Sequence, residues 1–275
     1  MLNKFLIEKH VKQALEEDIG FEDITTDNLA GENDTLECSL NTRGDGVFCG
    51  KDVFEIVFKV LDNQVDIKFY FKDGDNIIKG DKIADVKGPA RAILTGERTA
   101  LNYIQRMSGI ATETRKYQDA IGGYKAKIVD TRKTTPCFRI FEKYSVKVGC
   151  GSVHRFNLAD CAMIKDNHVK FAGSIGNAIT KLKQSISHAH KIEVECDTLD
   201  QVKESLSYGA DIIMLDNMSI EEMKKAVQEI NGKAIVEASG NVNINRLKEI
   251  ASTGVDIISS SAIVAKAPTL DLGLD

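Results

Sequence analysis

Between Lys125 and Ser261 the chain repeats one pattern: a short apolar run ends in charged or hydroxyl residues and gives way to a stretch with helical spacing. The runs end at Asp130-Thr131-Arg132-Lys133, Lys165-Asp166-Asn167-His168, Glu193-Val194-Glu195, Asp216-Asn217, Glu237-Ala238-Ser239-Gly240 and Ser259-Ser260-Ser261. Strands alternating with helices of ordinary length predict βαβ units and a parallel sheet, and crossovers of one hand close such a sheet into an α/β barrel. The carboxyl ends of barrel strands form one face, and that face carries the chemistry. The pattern therefore gathers cationic groups, carboxylates and a hydroxyl-rich loop around one mouth.

The first third is patterned differently. From Thr35 to Val86, short β-like runs (Leu36–Leu40, Val65–Phe71) alternate with turn signals at Arg43-Gly44-Asp45-Gly46, Lys72-Asp73-Gly74-Asp75 and Lys79-Gly80-Asp81. This predicts a small β-rich domain with helical edges. Ala90 to Ala120 reads as helical, with Ile93, Leu94, Ala100, Leu101, Ile104 and Met107 at spacings of three, four and seven, and Gly122-Gly123 stops it.

The chain's 275 residues suit a barrel with a smaller companion, and its charged content is that of an ordinary globular protein. A net charge of -5 provides no general attraction to nucleic acid or an anionic membrane, so a cationic mouth runs against the global sign. No stretch has the length of a membrane span, and the start lacks an apolar core fit for secretion. Six cysteines without a C-x-x-C pair read as reduced thiols in a cytoplasmic protein.

Chemistry concentrates at the strand ends. Arg132 and Lys133 precede Thr134-Thr135-Pro136; a forked guanidinium beside an ammonium suits carboxylate or phosphate, although a plain surface basic pair has the same composition. Gly149-Cys150-Gly151-Ser152-Val153-His154-Arg155 delivers a second arginine and a histidine, and its glycines permit close backbone approach. Glu193 and Glu195 share one strand face, and Asp216 ends the next strand; such carboxylates bind ribose hydroxyls, hold Mg²⁺ through water or stabilise positive charge on a sugar, or else form an ion-pair network with the cations. Ser239, Gly240 and Ser259-Ser260-Ser261 end the late strands, where barrels bind phosphate. The residues thus predict a mouth for a polyanion bearing carboxylates and phosphates.

These motifs, in this order, with Asp23-Ile24-Thr25-Thr26 and Glu97-Arg98-Thr99-Ala100-Leu101-Asn102 upstream, closely resemble those of the quinolinate phosphoribosyltransferase family, also called nicotinate-nucleotide pyrophosphorylase (carboxylating). The resemblance covers nearly the whole chain. It implies an N-terminal α/β sandwich over 1–113, joined by the tail 270–275, and an open α/β barrel over 114–269. It implies a homodimer, or a dimer-based oligomer, in which Arg98 reaches the neighbouring site. It also implies transfer of phosphoribose from phosphoribosyl pyrophosphate to quinolinate with decarboxylation, a step of NAD biosynthesis. On this resemblance Arg132, His154, Arg155 and the partner's Arg98 hold the two carboxylates, and Lys133 and Lys165 face carboxylate and phosphate. Glu195 and Asp216 engage ribose and Mg²⁺, directly or through water, while Ser239, Gly240 and Ser261 sit at phosphate. Lys133, Lys165, Glu195 and Asp216 are the expected catalytic residues.

The chain departs from the family pattern in places. Cys137 stands where the family usually has glycine after Thr-Thr-Pro, and Cys150 interrupts the glycine triplet; both are expected to be small buried thiols. The family's usual Val-Gly-Ala-Leu-Thr-His-Ser appears as Ser260 to Lys266, so Ser261 replaces a phosphate-contacting glycine and Ala265 a histidine, with Lys266 adding a cation next door. Two alternatives accompany the main reading. One is a related phosphoribosyltransferase for another aromatic acid, such as the molybdenum-operon paralogue, against which Lys165-Asp166-Asn167-His168 argues. The other is a non-catalytic paralogue that binds a nucleotide or dicarboxylate; the altered late loop favours it, and the retained cations, Glu195 and Asp216 oppose it.

Overall fold

The computed structural model describes residues 2–275, which divide into two compact units. The first runs to Arg115 and also contains Thr135–Cys150 and Ala267–Asp275; the second is Lys116–Thr134 with Gly151–Lys266.

The first unit has strands β1 (Thr35–Thr42), β2 (Gly46–Val47), β3 (Asp66–Phe69), β4 (Asn76–Ile77) and β5 (Lys82–Pro89), and helices α1 (Lys4–Ile19), α2 (Ile24–Leu29), α3 (Lys51–Leu61) and most of α4 (Ala90–Ala120). An antiparallel sheet runs in the order Leu272–Leu274, β1, β5, β3, with Leu40 opposite both Ala84 and Leu274. The predicted helix from Ala90 to Ala120 is present with those bounds. Apolar spacing explains the packing: α1 buries Ile7, Val11 and Leu15 at every fourth position, and α3 buries Val53, Phe54, Val57 and Phe58 along one stripe. The N-terminus of α3 is capped from a distance, because Asp73 Oδ1 accepts from the N–H groups of Gly50 (3.0 Å) and Lys51 (2.9 Å).

Helix α5 (Arg139–Val148) follows the first barrel strand in the chain but belongs to the first unit. Its Phe141 is fully buried against Tyr103, Phe138 and His10, and Tyr144 donates to Asp73 Oδ2 at 2.7 Å. Buried Glu142 receives both Nε and Nη2 of Arg106, and also the N–H and hydroxyl of Thr135, each at 2.9 Å.

The second unit is the predicted βα repeat. Strands β6 (Lys127–Val129), β7 (Cys161–Ile164), β8 (Lys191–Cys196), β9 (Ile212–Asp216), β10 (Ile235–Ser239) and β11 (Ile257–Ser259) form one parallel sheet in the order β6-β11-β10-β9-β8-β7. Among the described residues β6 and β7 do not pair with each other, so this is an open α/β barrel; the isolated bridge from Val129 to Ser152 marks the gap. Apolar runs such as Ile213-Met214-Leu215 are buried, as a sheet covered on both faces requires. Helices α6 (Asp166–Ala172), α7 (Ile175–Ser185), α8 (Leu199–Ser207), α9 (Ile220–Ile230), α10 (Leu247–Ser252) and α11 (Ala262–Ala265) complete it. Ser174 caps α7, and Thr198 with Gln201 and Ser219 with Glu222 form capping boxes on α8 and α9, each cap worth about 1 kcal/mol. Among the described residues no helix is long and apolar enough to cross a membrane.

Two expectations change. Cys137 and Cys150 are exposed, not buried, and both take left-handed backbone conformations, with φ of 61° and 69°. A glycine suits such positions because it has no Cβ to clash, so each cysteine here sits in a strained backbone conformation at the surface and not in the core. Gly149 serves packing: a Cβ there would stand 2.4 Å from the carbonyl oxygen of Ala111 in α4.

Candidate active site

The strand ends of the second unit surround a cavity of about 420 Å³. It is lined by Arg132 and Lys133 after β6, His154 and Arg155 before β7, Lys165 after it, Glu195 on β8, Asp216 ending β9, and Glu237 and Ser239 on β10, with Met163 and Met214 as apolar floor. An adjoining cavity of about 390 Å³ takes Gly240, Ser261 and Lys266 and shares Lys133, Asp216 and Ser239 with the first. All the sequence-derived site residues except Arg98 therefore line these two spaces. Arg98 is exposed on α4 of the first unit.

Local bonds set each group. Buried Asp130 accepts the N–H of His154 at 2.8 Å and so anchors the loop carrying His154 and Arg155 to the end of β6. The Arg155 guanidinium is steadied by the Cys161 carbonyl at 2.8 Å and the Met163 sulfur at 3.5 Å. Lys165 caps α6, donates its N–H to His168 Nδ1 at 3.0 Å, and pairs through its ammonium with Glu195. At the next strand Asn217, with φ of 55°, folds back to donate to Asp216 Oδ2 at 2.8 Å. Gly240 passes so close that a Cβ would lie 2.3 Å from Asn217 Oδ1, which makes glycine obligatory there. Burial raises the Asp216 pKa above the ordinary aspartate value, and the negative charges of Glu195 and Asp197 add to the rise, while the Asn217 amide and Lys165 oppose it.

In the sequence Glu193 pairs with Glu195 on one strand face, but the resemblance gives neither Glu193 nor Glu237 a role. Both are buried, and both face His154: its Nε2 lies 3.3 Å from Glu193 Oε1 and 3.4 Å from Glu237 Oε2. The Arg155 N–H donates to Nδ1 at 2.7 Å, which leaves Nε2 to carry the ring proton toward the carboxylates. Burial lowers the His154 pKa, but the bonds to Glu193 and then Glu237 outweigh it and push the value up to about 10. The carboxylates thus pull a second proton onto the ring while the Arg155 amide opposes one. Burial likewise raises the Glu193 pKa. Glu193 Oε2 and Glu237 Oε1 are buried without a hydrogen-bond partner among the described residues. One ligand atom from each of His154, Glu193 and Glu237 lies within 4.8 Å of the others, a spacing compatible with a metal ion. The signal in the sequence was the two-residue spacing of Glu193 and Glu195, which turns both inward from one strand.

The site can bind a planar dianion between guanidinium groups and present carboxylates to a sugar, with no activated nucleophile among the lining side chains. Fold and site together define an open α/β barrel whose strand ends form an anion-binding mouth. Residues 23–108 match the family model for the quinolinate phosphoribosyl transferase N-terminal domain and residues 110–275 that for its C-terminal domain, and the chain belongs to this family. It is 39% identical over 274 residues to the probable nicotinate-nucleotide pyrophosphorylase [carboxylating] of Bacillus subtilis (strain 168), covering all of this chain and 94% of that one. Its fold matches crystal structures of NadC from Streptococcus pyogenes (TM-score 0.97, 39% identity, 100% and 97% coverage) and of nicotinate-nucleotide pyrophosphorylase from Ehrlichia chaffeensis (TM-score 0.93, 43% identity, 97% of each chain).

Proposed function

We propose that this enzyme transfers the phosphoribosyl group of phosphoribosyl pyrophosphate to the ring nitrogen of quinolinate, releasing pyrophosphate and carbon dioxide and forming nicotinate mononucleotide in de novo NAD biosynthesis. The observation that carries the reading is one cavity lined at once by Arg132, Arg155 and Lys165 and by Glu195 and Asp216, with Lys165 paired to Glu195. The guanidinium groups and Lys165 bind the two ring carboxylates and aim the ring nitrogen at the anomeric carbon. As the carbon–oxygen bond to pyrophosphate breaks, its electron pair leaves with the diphosphate, and Glu195 and Asp216 stabilise positive charge on the ribose. The nitrogen lone pair then forms the new bond. The carboxylate beside the now cationic nitrogen departs as carbon dioxide, and its bonding pair remains on the ring carbon until a proton arrives.

Glu195 and Asp216 also fit Mg²⁺. Burial, and after it the charge of Glu195, raises the Asp216 pKa, and a divalent cation between the two carboxylates would relieve their repulsion. When bound, Mg²⁺ supplies neutralising charge for the diphosphate. A homodimer in which Arg98 reaches the neighbouring cavity belongs to the same proposal; among the described residues exposed Arg98 has no ion pair. The free state of all six thiols favours a reducing, cytoplasmic setting.

Calorimetric titration tests the binding half of this reading. Quinolinate should bind and nicotinate, with one carboxylate fewer, should bind at least about tenfold more weakly. Arg132→Ala and Arg155→Ala should each weaken quinolinate by a similar factor. Equal affinity for the two acids would overturn the assignment of a dicarboxylate site.

A further inference from the structure

The second cavity opens beside the first, and its wall beyond the shared residues includes Gly240, Asn241, Ser260, Ser261 and Lys266. Lys133 and Lys266 both border this one space, against a single carboxylate, Asp216. Among the described residues neither lysine forms an ion pair, whereas Lys165 is taken by Glu195. Lys266 is fixed at the close of a helical turn, its N–H donating to the Ala262 carbonyl at 3.1 Å, so its position at the rim is set by backbone and not by chance. Ser239 and Ser261 add hydroxyl donors. Two like charges on one wall repel until an anion sits between them, and a phosphate monoester, with close to two negative charges, suits both at once.

We propose that Lys266 and Lys133 clamp the monoester phosphate of the donor substrate, which makes Lys266 a determinant of donor affinity; the proposal rests on the phosphoribosyl transfer argued above. Lys266 closes the short helix that follows the last strand, in a segment whose other residues from Ser259 to Ala265 are small or apolar and uncharged, so the donor's phosphate is held by a side-chain charge from that helix as well as by hydroxyls.

Ribose 5-phosphate serves as the probe, titrated calorimetrically into the full chain. The wild type should bind it, Lys266→Ala should bind it about tenfold or more weakly, and Lys266→Arg should stay within a few-fold of wild type. Ribose without the phosphate should not distinguish the variants, and quinolinate affinity should be unchanged in both. Equal affinity of wild type and Lys266→Ala for ribose 5-phosphate, no binding by the wild type, or a parallel loss of quinolinate binding would each overturn the clamp. These titrations need no turnover. A wild type that binds ribose 5-phosphate yet forms no nucleotide therefore overturns the reaction and leaves the clamp standing.

Discussion

The imidazole Nε2 of His154 lies 3.3 Å from Oε1 of Glu193, a carboxylate with none of its surface exposed. With Glu237 at 3.4 Å from the same Nε2 and the Arg155 amide on Nδ1, both ring nitrogens are engaged and the ring is held in place. Glu193→Gln preserves volume but removes the charge that holds the ring. It should lower kcat/KM for quinolinate by about 10- to 100-fold, the effect of losing one charged hydrogen bond. Steady-state kinetics with thermal melting checks this; an unchanged kcat/KM in a folded variant contradicts the positioning.

Asp216 gives the pH dependence. Its pKa is raised by burial and by neighbouring carboxylates, and the Asn217 amide lowers it. If the ionised form is the working one, activity falls as pH drops through a value above the usual aspartate range. Asn217→Gly keeps the left-handed backbone and deletes the amide, so it should move the acid limb of the kcat/KM profile to higher pH. A shift to lower pH, or none, contradicts the assignment. The same raised pKa means that the neutral carboxyl is favoured by folding, so the contribution of this group to stability is fullest below the unfolded aspartate value and is lost as pH rises through the folded one.

At Cys150, φ of 69° opposes any residue with a Cβ. Cys150→Gly removes that strain, about 1–2 kcal/mol, and concedes about 0.4–1 kcal/mol through a more flexible unfolded chain. Urea unfolding should show a net gain of up to about 1.6 kcal/mol, and Cys150→Val a loss; a Gly variant less stable than the wild type would sink the argument.

Glu142 is fully buried and holds Arg106 together with Thr135. Removing one partner of a buried pair costs about 3–5 kcal/mol, so Glu142→Ala should lower the melting temperature by well over 5 °C. A shift under about 2 °C would show that the pair is idle.

The barrel was legible because its strands are short apolar runs with one period and its helices carry their own caps, so local pattern and tertiary role agree. The six strand ends named the cations and carboxylates for the same reason. What stayed hidden depends on contacts far apart in sequence. Glu237 reads as one more strand-end acid until its distance to His154 is known. The membership of α5 in the first unit follows from Glu142 meeting Arg106 and Tyr144 meeting Asp73, pairs that no periodicity announces. The exposure of Cys137 and Cys150 was missed because a sequence shows residue type and not backbone angle.

The central claim is tested most directly by following carbon dioxide and pyrophosphate from carboxyl-labelled quinolinate, with phosphoribosyl pyrophosphate and Mg²⁺ present or withheld. The account predicts that both products, and nicotinate mononucleotide, form in equal amounts only when both substrates are present. Carbon dioxide released without the donor, or no product even at high enzyme concentration, would contradict it.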